Sequence, residues 1–194
     1  MLEPLLALAG GYALGSIPFA YIVTTLFGLG DIRQVGSGNV GATNVLRTGS
    51  KLAAALTLIG DVGKGIAAVL VAKQFGEFAA MSAALGAFTG HICPVWLNFK
   101  GGKGVATFIG ILVALFLPVA LIVCAIWIAT ALITRISSLS ALVAAAASPL
   151  LMLALGPWPY ALGAALLAAL IFVTHRDNIR RLLAGEEPRI GEKK

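Results

Sequence analysis

Charge is scarce in this chain. Of its 194 residues only 11% are Asp, Glu, Lys or Arg, and eight are acidic. A soluble domain needs polar surface to cover its core, and a chain that is 59% hydrophobic, with a mean hydropathy of +0.98, lacks it. Cysteine is nearly absent too. Cys93 and Cys124 both lie in apolar runs, where a thiol packs as a small hydrophobe, so no disulfide framework and no redox compartment follow. Histidine is equally rare, and the His91-Ile92-Cys93 stretch has no further ligands nearby, so no metal is assigned and no cofactor is called for. The N-terminus lacks a basic region and a small-residue cleavage site, so residues 1–27 read as a retained span rather than a signal peptide.

What is present is apolar length. Runs at 4–27, 52–73, 76–97, 105–134, 138–155 and 158–174 each match or exceed the length a helix needs to cross a bilayer, or come close to it. The expected fold is an all-α integral membrane helix bundle forming one domain over 1–194. The run 105–134 is too long for one crossing, at about 45 Å against a core of about 30 Å. Leu117-Pro118 offers a break, because proline removes a backbone donor and disfavours helix before it. Splitting there predicts seven spans. With the N-terminus outside, every basic loop residue from Arg33 to Lys194 except Lys73 then faces the cytoplasm, whereas six spans would scatter them. The polar segments 28–51, 98–104, 135–138 and the tail from 175 are expected on that cytoplasmic face.

Three of those segments are candidates for chemistry. In GSGNVGATNVLR, 36–47, Gly36, Gly38 and Gly41 permit positive φ and close backbone approach, so successive N–H groups can converge on an anion. Ser37, Asn39, Thr43 and Asn44 add hydrogen bonds, and Arg47 adds a fork that suits phosphate. The same composition also suits an ordinary interfacial turn. In GHICPVWLNFKGGKGVAT, 90–107, Lys100 and Lys103 stand among Gly101, Gly102 and Gly104 just before a helix start, a natural anion site. No Ser or Thr follows Lys103 directly and no strand precedes it, so a nucleotide-triphosphatase loop does not fit; snorkelling lysines remain the plain alternative. His91 there is a base, a phosphate donor or a packed histidine. Within a span, Asp61 and Lys64 sit three residues apart on one helix face and should pair, as a structural ion pair or one that also orients a site. Ser137, Ser138 and Ser140 open a later helix, where serines are by default caps. In HRDNIRRLLAGEE, 175–187, Ile179, Leu182 and Leu183 suit a membrane surface while His175, Asn178 and Arg181 turn elsewhere; Arg180 and Arg181 read most simply as a solvated basic tail.

These blocks, in this order and spacing over nearly the whole chain, resemble the bacterial membrane acyl-phosphate:glycerol-3-phosphate acyltransferases; DVGKG at 61–65 fits as well. The resemblance implies transfer of an acyl group from acyl phosphate to the 1-hydroxyl of glycerol 3-phosphate. It also implies seven spans and a bacterial plasma-membrane location with an external N-terminus and cytoplasmic C-terminus. Catalytic or substrate-binding roles pass by the same resemblance to Ser37, Thr43, Arg47, Lys103, Ser138, His175 and Asn178, and phosphate binding to the glycine-lysine loop.

Chemistry suits that implication. Two phosphorylated substrates bring roughly −1.5 to −2 charge each, by analogy with phosphate monoesters, and the formal charge of +6 can meet them. Acyl phosphate is already activated, so positioning and charge neutralisation can carry the reaction without a protein nucleophile. A His-x4-Asp acyltransferase motif is missing, since Trp96 follows His91 and Arg180 follows His175 at that spacing, so neither CoA nor acyl carrier protein is required. No nucleic-acid partner is called for. The rival expectation is a small anion or phosphate transporter, with Asp61 and Lys64 marking a path; it meets no evident paired inverted repeats.

Overall fold

A computed structural model of the chain describes residues 2–191. Lys193 and Lys194, counted above with the basic tail, lie outside the described residues. The chain divides into two compact units, Met1–Leu115 and Phe116–Lys194, and among the described residues it is all helix and turn, with no strand. The first unit holds α1 (Leu2–Gly15), α2 (Phe19–Leu26), the short α3 (Ala42–Leu46), α4 (Lys51–Lys73), α5 (Glu77–Ile92) and α6 (Val105–Leu115). The second holds α7 (Leu117–Thr134), α8 (Ser137–Leu155), α9 (Trp158–Thr174) and α10 (Arg176–Leu183).

Five stretches among the described residues are long and apolar enough to cross a bilayer: Leu2–Leu26, Lys51–Lys73, Glu77–Leu97, Leu117–Thr134 and Ser137–Leu155. The pair α9 and α10, bent by 65°, makes a sixth. The seventh predicted span is α6, whose 11 residues cover only about 16 Å, roughly half a hydrocarbon core. Among the described residues, then, five helices, or six with the bent pair, are long enough to cross a bilayer, and the seventh expected span is present only as the shorter apolar helix α6.

Two breaks differ from expectation. The run 105–134 parts at Phe116, which is extended, one residue before Leu117-Pro118. Pro118 falls in the first turn of α7, where a missing N–H costs nothing because that group has no helical partner anyway. The Lys73 ammonium closes the gap by donating to the Ala114 and Leu115 carbonyls, at 3.5 and 3.4 Å, at the end of α6. The run 4–27, expected as one span, is also interrupted: Ser16, Ile17 and Pro18 separate α1 from α2.

Glycine sets the packing of the first unit. Gly11 and Gly15 of α1 lie against α5, and Gly86 and Gly90 of α5 lie against α1. A methyl group built on Gly86 would stand 2.8 Å from the Tyr12 nitrogen, and one on Gly90 2.7 Å from the Ser16 nitrogen. Lipid tails are as apolar as leucine, so helices in a bilayer associate through such close backbone contact rather than by hiding oil from water. The large exposed side chains, Leu5, Leu58 and Leu150 among them, are the surface left for lipid.

Gly86→Ala is expected to destabilise the purified protein by about 1–3 kcal/mol through overpacking, read as a lower midpoint in detergent thermal unfolding. Gly10→Ala, on the same helix as Gly11 but with open space around it, should leave the midpoint unchanged or slightly raised.

Candidate functional site

In the first unit the loop 27–41 is built around one amide. Asn44, buried on α3, donates through Nδ2 to the carbonyls of Ile32 and Val35, at 3.1 and 2.8 Å, and accepts from the Ser37 N–H at 3.2 Å. Both ends of that side chain serve the loop, so Asn44 holds the loop's shape. Gly36 takes φ +53°, and a side chain there would collide with the Asn44 oxygen and the Arg47 side chain, which lies across it. Ser37, Thr43 and Arg47 are exposed around this turn, with Gly38, Asn39 and Gly41 half-buried between them. The two arginines of the segment are not alike. Arg33 is committed: it pairs with Asp31 at 2.6 Å and lies over the Tyr21 ring. Its guanidinium, hydrogen-bonded to Asp31, holds that carboxyl below the usual carboxylate range. Arg47 takes no part in the ion pairs found among the described residues.

The second polar segment meets the first. Leu97 shares a buried apolar cluster with Ile32, Val40 and Val45. Gly102 packs so tightly that a methyl group there would stand 2.6 Å from the Val40 carbonyl and overlap the His91 ring. The Gly101 and Gly102 N–H groups donate to the carbonyls of Ile92 and His91, both at 3.1 Å, fastening the loop to the end of α5. Lys100 is exposed and Lys103 half-buried on this loop, and Gly104, at φ +88°, turns the chain into α6. The loops 36–47 and 98–104 therefore stand together in one unit, as expected.

Below them lies the intramembrane pair. Lys64 Nζ meets Asp61 Oδ1 at 2.7 Å, as the spacing predicted, and both side chains are almost fully buried. Two further contacts were invisible in the sequence. His91 Nδ1 reaches the same carboxylate oxygen at 3.4 Å, and Lys64 also donates to the Ile17 carbonyl at 2.9 Å, in the break between α1 and α2.

The second unit gathers its candidates on a glutamate that the sequence reading passed over. Glu187 Oε1 accepts from the Ser138 hydroxyl at 2.7 Å and from Asn178 Nδ2 at 2.5 Å, while Oε2 accepts from Arg181 Nε at 2.7 Å. Ser138 is singled out from its neighbours by this bond, because Ser140 turns back to the Ile136 carbonyl. The serines are not caps: Ile136 holds the cap position of α8. Nor is Arg181 merely solvated, since it forms the ion pair. The tail is tied a second time, Ile190 N–H to the Arg135 carbonyl at 2.6 Å and the Arg135 guanidinium to the Ile190 carbonyl at 3.0 Å. His175, buried at the α9–α10 bend, places Nδ1 2.8 Å from the Ile171 carbonyl. That contact puts the proton of a neutral ring on Nδ1 and makes Nε2 its acceptor nitrogen.

Burial pushes the Glu187 carboxyl up, but the bonds from Ser138, Asn178 and Arg181 outweigh it and hold the group below the ordinary glutamate range. A depressed carboxylate contributes stability above its unfolded pKa and loses it as pH falls through the lowered folded value. Amide protection over 185–191, taken relative to the intrinsic exchange rate at each pH, should therefore be high at neutral pH and fall in acid below the ordinary glutamate range. In Glu187→Gln that protection should be low at neutral pH and independent of acid.

The family model described as glycerol-3-phosphate acyltransferase matches residues 5–185. A glycerol-3-phosphate acyltransferase of Cereibacter sphaeroides is 58% identical, covering 94% of this chain and 88% of its own length. One of Nitrobacter winogradskyi is 57% identical over 97% of both chains. Among solved structures, the glycerol 3-phosphate form of PlsY (YgiH), an integral membrane glycerol 3-phosphate acyltransferase, superposes with a TM-score of 0.91 at 38% identity, covering 97% of this chain and 96% of that one. Its lysophosphatidic acid form gives 0.88 at 36% identity, over 97% and 95%. The chain belongs to the glycerol-3-phosphate acyltransferase family of integral membrane proteins.

Proposed function

We propose that this protein transfers a fatty acyl group from acyl phosphate to the 1-hydroxyl of glycerol 3-phosphate, releasing lysophosphatidic acid and inorganic phosphate. Family membership supports the acceptor and the reaction class; relatives solved with glycerol 3-phosphate and lysophosphatidic acid are named for the acceptor and for its acylated product. The observation that carries the reading is the meeting of two glycine-rich cationic loops at Gly102 and Val40, which brings the chain segments of Arg47 and Lys103 together.

The substrate hydroxyl oxygen attacks the acyl carbonyl carbon, a new C–O ester bond forms, and the bond from that carbon to the phosphate oxygen breaks. The hydroxyl proton passes to a phosphate oxygen of a substrate, so no acyl-enzyme forms. Arg47, Lys100 and Lys103 neutralise phosphoryl charge, and the N–H groups of Gly36, Gly38, Gly41, Gly101, Gly102 and Gly104 line the loops that carry them. Ser37, Asn39 and Thr43 add hydrogen bonds to the same groups. In the second unit Ser138, His175 and Asn178 are assigned to substrate, with Glu187 orienting Ser138 and Asn178. His91, Asp61 and Lys64 lie beneath the loops. The whole chain, 1–194, acts as one acyltransferase domain of the bacterial plasma membrane with an external N-terminus and a cytoplasmic C-terminus, and neither CoA nor acyl carrier protein takes part.

Purified protein given acyl phosphate and glycerol 3-phosphate should form lysophosphatidic acid without CoA. Arg47→Ala and Lys103→Ala should each lower kcat/KM by about 100-fold or more, the scale of losing one charge-stabilising donor. Absence of turnover with acyl phosphate, while acyl-CoA supports it, would overturn the donor. An acyl ester on Ser37 in rapid-quench samples would refute direct transfer.

A further inference from the structure

We infer that His91, set by Asp61, is a positioning residue for the Gly101–Lys103 loop rather than a base. The inference rests on the proposed reaction, in which that loop seats a phosphate monoester or acyl phosphate group.

The ring is held from both sides. Its Nδ1 contacts a carboxylate that is itself fixed by Lys64, and Lys64 is fixed by the Ile17 carbonyl. On the other side Nε2 lies under the Gly102 backbone, so close that glycine alone fits there. The His91 carbonyl meanwhile accepts the Gly102 N–H, so one residue grips the loop by ring and backbone together. The cavity beside Asp61, Lys64, His91, Gly101 and Gly102, lined also by Ile17, Pro18 and Phe19, offers about 10 Å3, room for one water at most. The ring packs against the Gly102 backbone and cannot tilt toward it without moving the loop, and Lys103 is the next residue along. Its second nitrogen faces that backbone, the side a base would need open to substrate. Asp61 and Lys64 come from α4, His91 from α5 and the Ile17 carbonyl from the break after α1. The network thus transmits the packing of three helices to the placement of one cationic loop.

The test uses the full-length protein in detergent: His91→Ala, His91→Asn, His91→Gln and Asp61→Asn, with kcat and KM for both substrates and equilibrium binding of glycerol 3-phosphate without donor. His91→Ala should raise KM about tenfold or more for the substrate whose phosphate the loop seats, whatever happens to kcat, since misplacing a group by about 1 Å can cost up to about 100-fold. Whichever KM moves identifies that substrate. His91→Gln, which keeps an amide near the position of Nε2, should recover most of the loss. Asp61→Asn, which also leaves the Lys64 charge uncompensated, should raise the same KM in the fraction that purifies folded. Should His91→Ala fail to fold, the His91→Gln and His91→Asn kinetics decide alone. A hundredfold fall in kcat with unchanged KM in all three His91 variants would place the ring in the chemistry. Kinetics like the parent's in all of them would reduce the network to packing; either result overturns the inference. A parent enzyme inactive with acyl phosphate, yet binding glycerol 3-phosphate in a His91-dependent way, would sink the donor and leave the positioning role standing.

Discussion

A carboxylate inside the membrane is the constraint from which the first unit follows. Asp61 and Lys64 each cost about 2.5–3.5 kcal/mol to place at mid-membrane, and removing one partner of a buried pair leaves an uncompensated charge that costs about 3–5 kcal/mol. Neither charge is satisfied by the other alone. The carboxylate has two oxygens and room for several donors; the ammonium has three donors and only one carboxylate. His91 takes up part of the carboxylate's remaining capacity and the Ile17 carbonyl part of the ammonium's. That carbonyl lies in an interrupted span, where Pro18 lacks the N–H that would continue the helical ladder. The break in the first span and the charges in α4 are thus one arrangement.

Close packing makes the arrangement stiff. Gly86 and Gly90 bring α5 against the backbone of α1, and Gly65 and Gly110 do the same between α4 and α6. Backbone-to-backbone contact has few soft side chains to absorb a shift, so the helix ends are held in register. The loops at those ends inherit that register. Asn44 repeats the logic in smaller form: one buried amide fastens the Ile32 and Val35 carbonyls and the Ser37 N–H, so a loop of turn residues keeps a single shape and presents Ser37, Thr43 and Arg47 outward.

Much of this was legible from residue order, and what was not has a common cause. Membrane spans follow from apolar length and the neighbourhood of the Leu117-Pro118 break from proline, which are local, whereas the interruption at Ser16, Ile17 and Pro18 went unread inside a continuous apolar run. The Asp61–Lys64 pair was legible because spacing of three places both on one face of a single helix. His91 joining them was not, because that depends on how α4 and α5 come together in space, which residue order does not show. Asn44 was ambiguous for a similar reason: an amide in a polar loop serves a ligand or the loop equally well until its neighbours are placed. Ser138 could not be told from Ser137 and Ser140 by pattern, whereas its bond to Glu187 separates them at once. Phe116 rather than Leu117 became the break because proline is tolerated throughout a first helical turn, so Pro118 marks the neighbourhood of a start without fixing the residue.

The scarcity of acid in this chain acquires a meaning from where the acids sit. Of eight acidic residues, two are hubs: Asp61 gathers Lys64 and His91 in one unit, and Glu187 gathers Ser138, Asn178 and Arg181 in the other. An ionised carboxylate only accepts hydrogen bonds, so it is the natural group around which to fix donors, and charge-assisted bonds to it are about twice as strong as neutral ones. A glycerol-3-phosphate acyltransferase, which must hold a phosphate group, faces a conflict, since every acid near its cations competes with the ligand. Spending carboxylates on buried lysine, histidine, serine and amide groups, or on Arg33 and Arg181, leaves Arg47 outside the described ion pairs. Adding acids near the loops 36–47 and 98–104 would tighten the fold locally and blunt its attraction for phosphate. The few acids present therefore organise donors, Asp61 beneath the loops of the first unit and Glu187 within the second, while the chain keeps a net charge of +6 for anions.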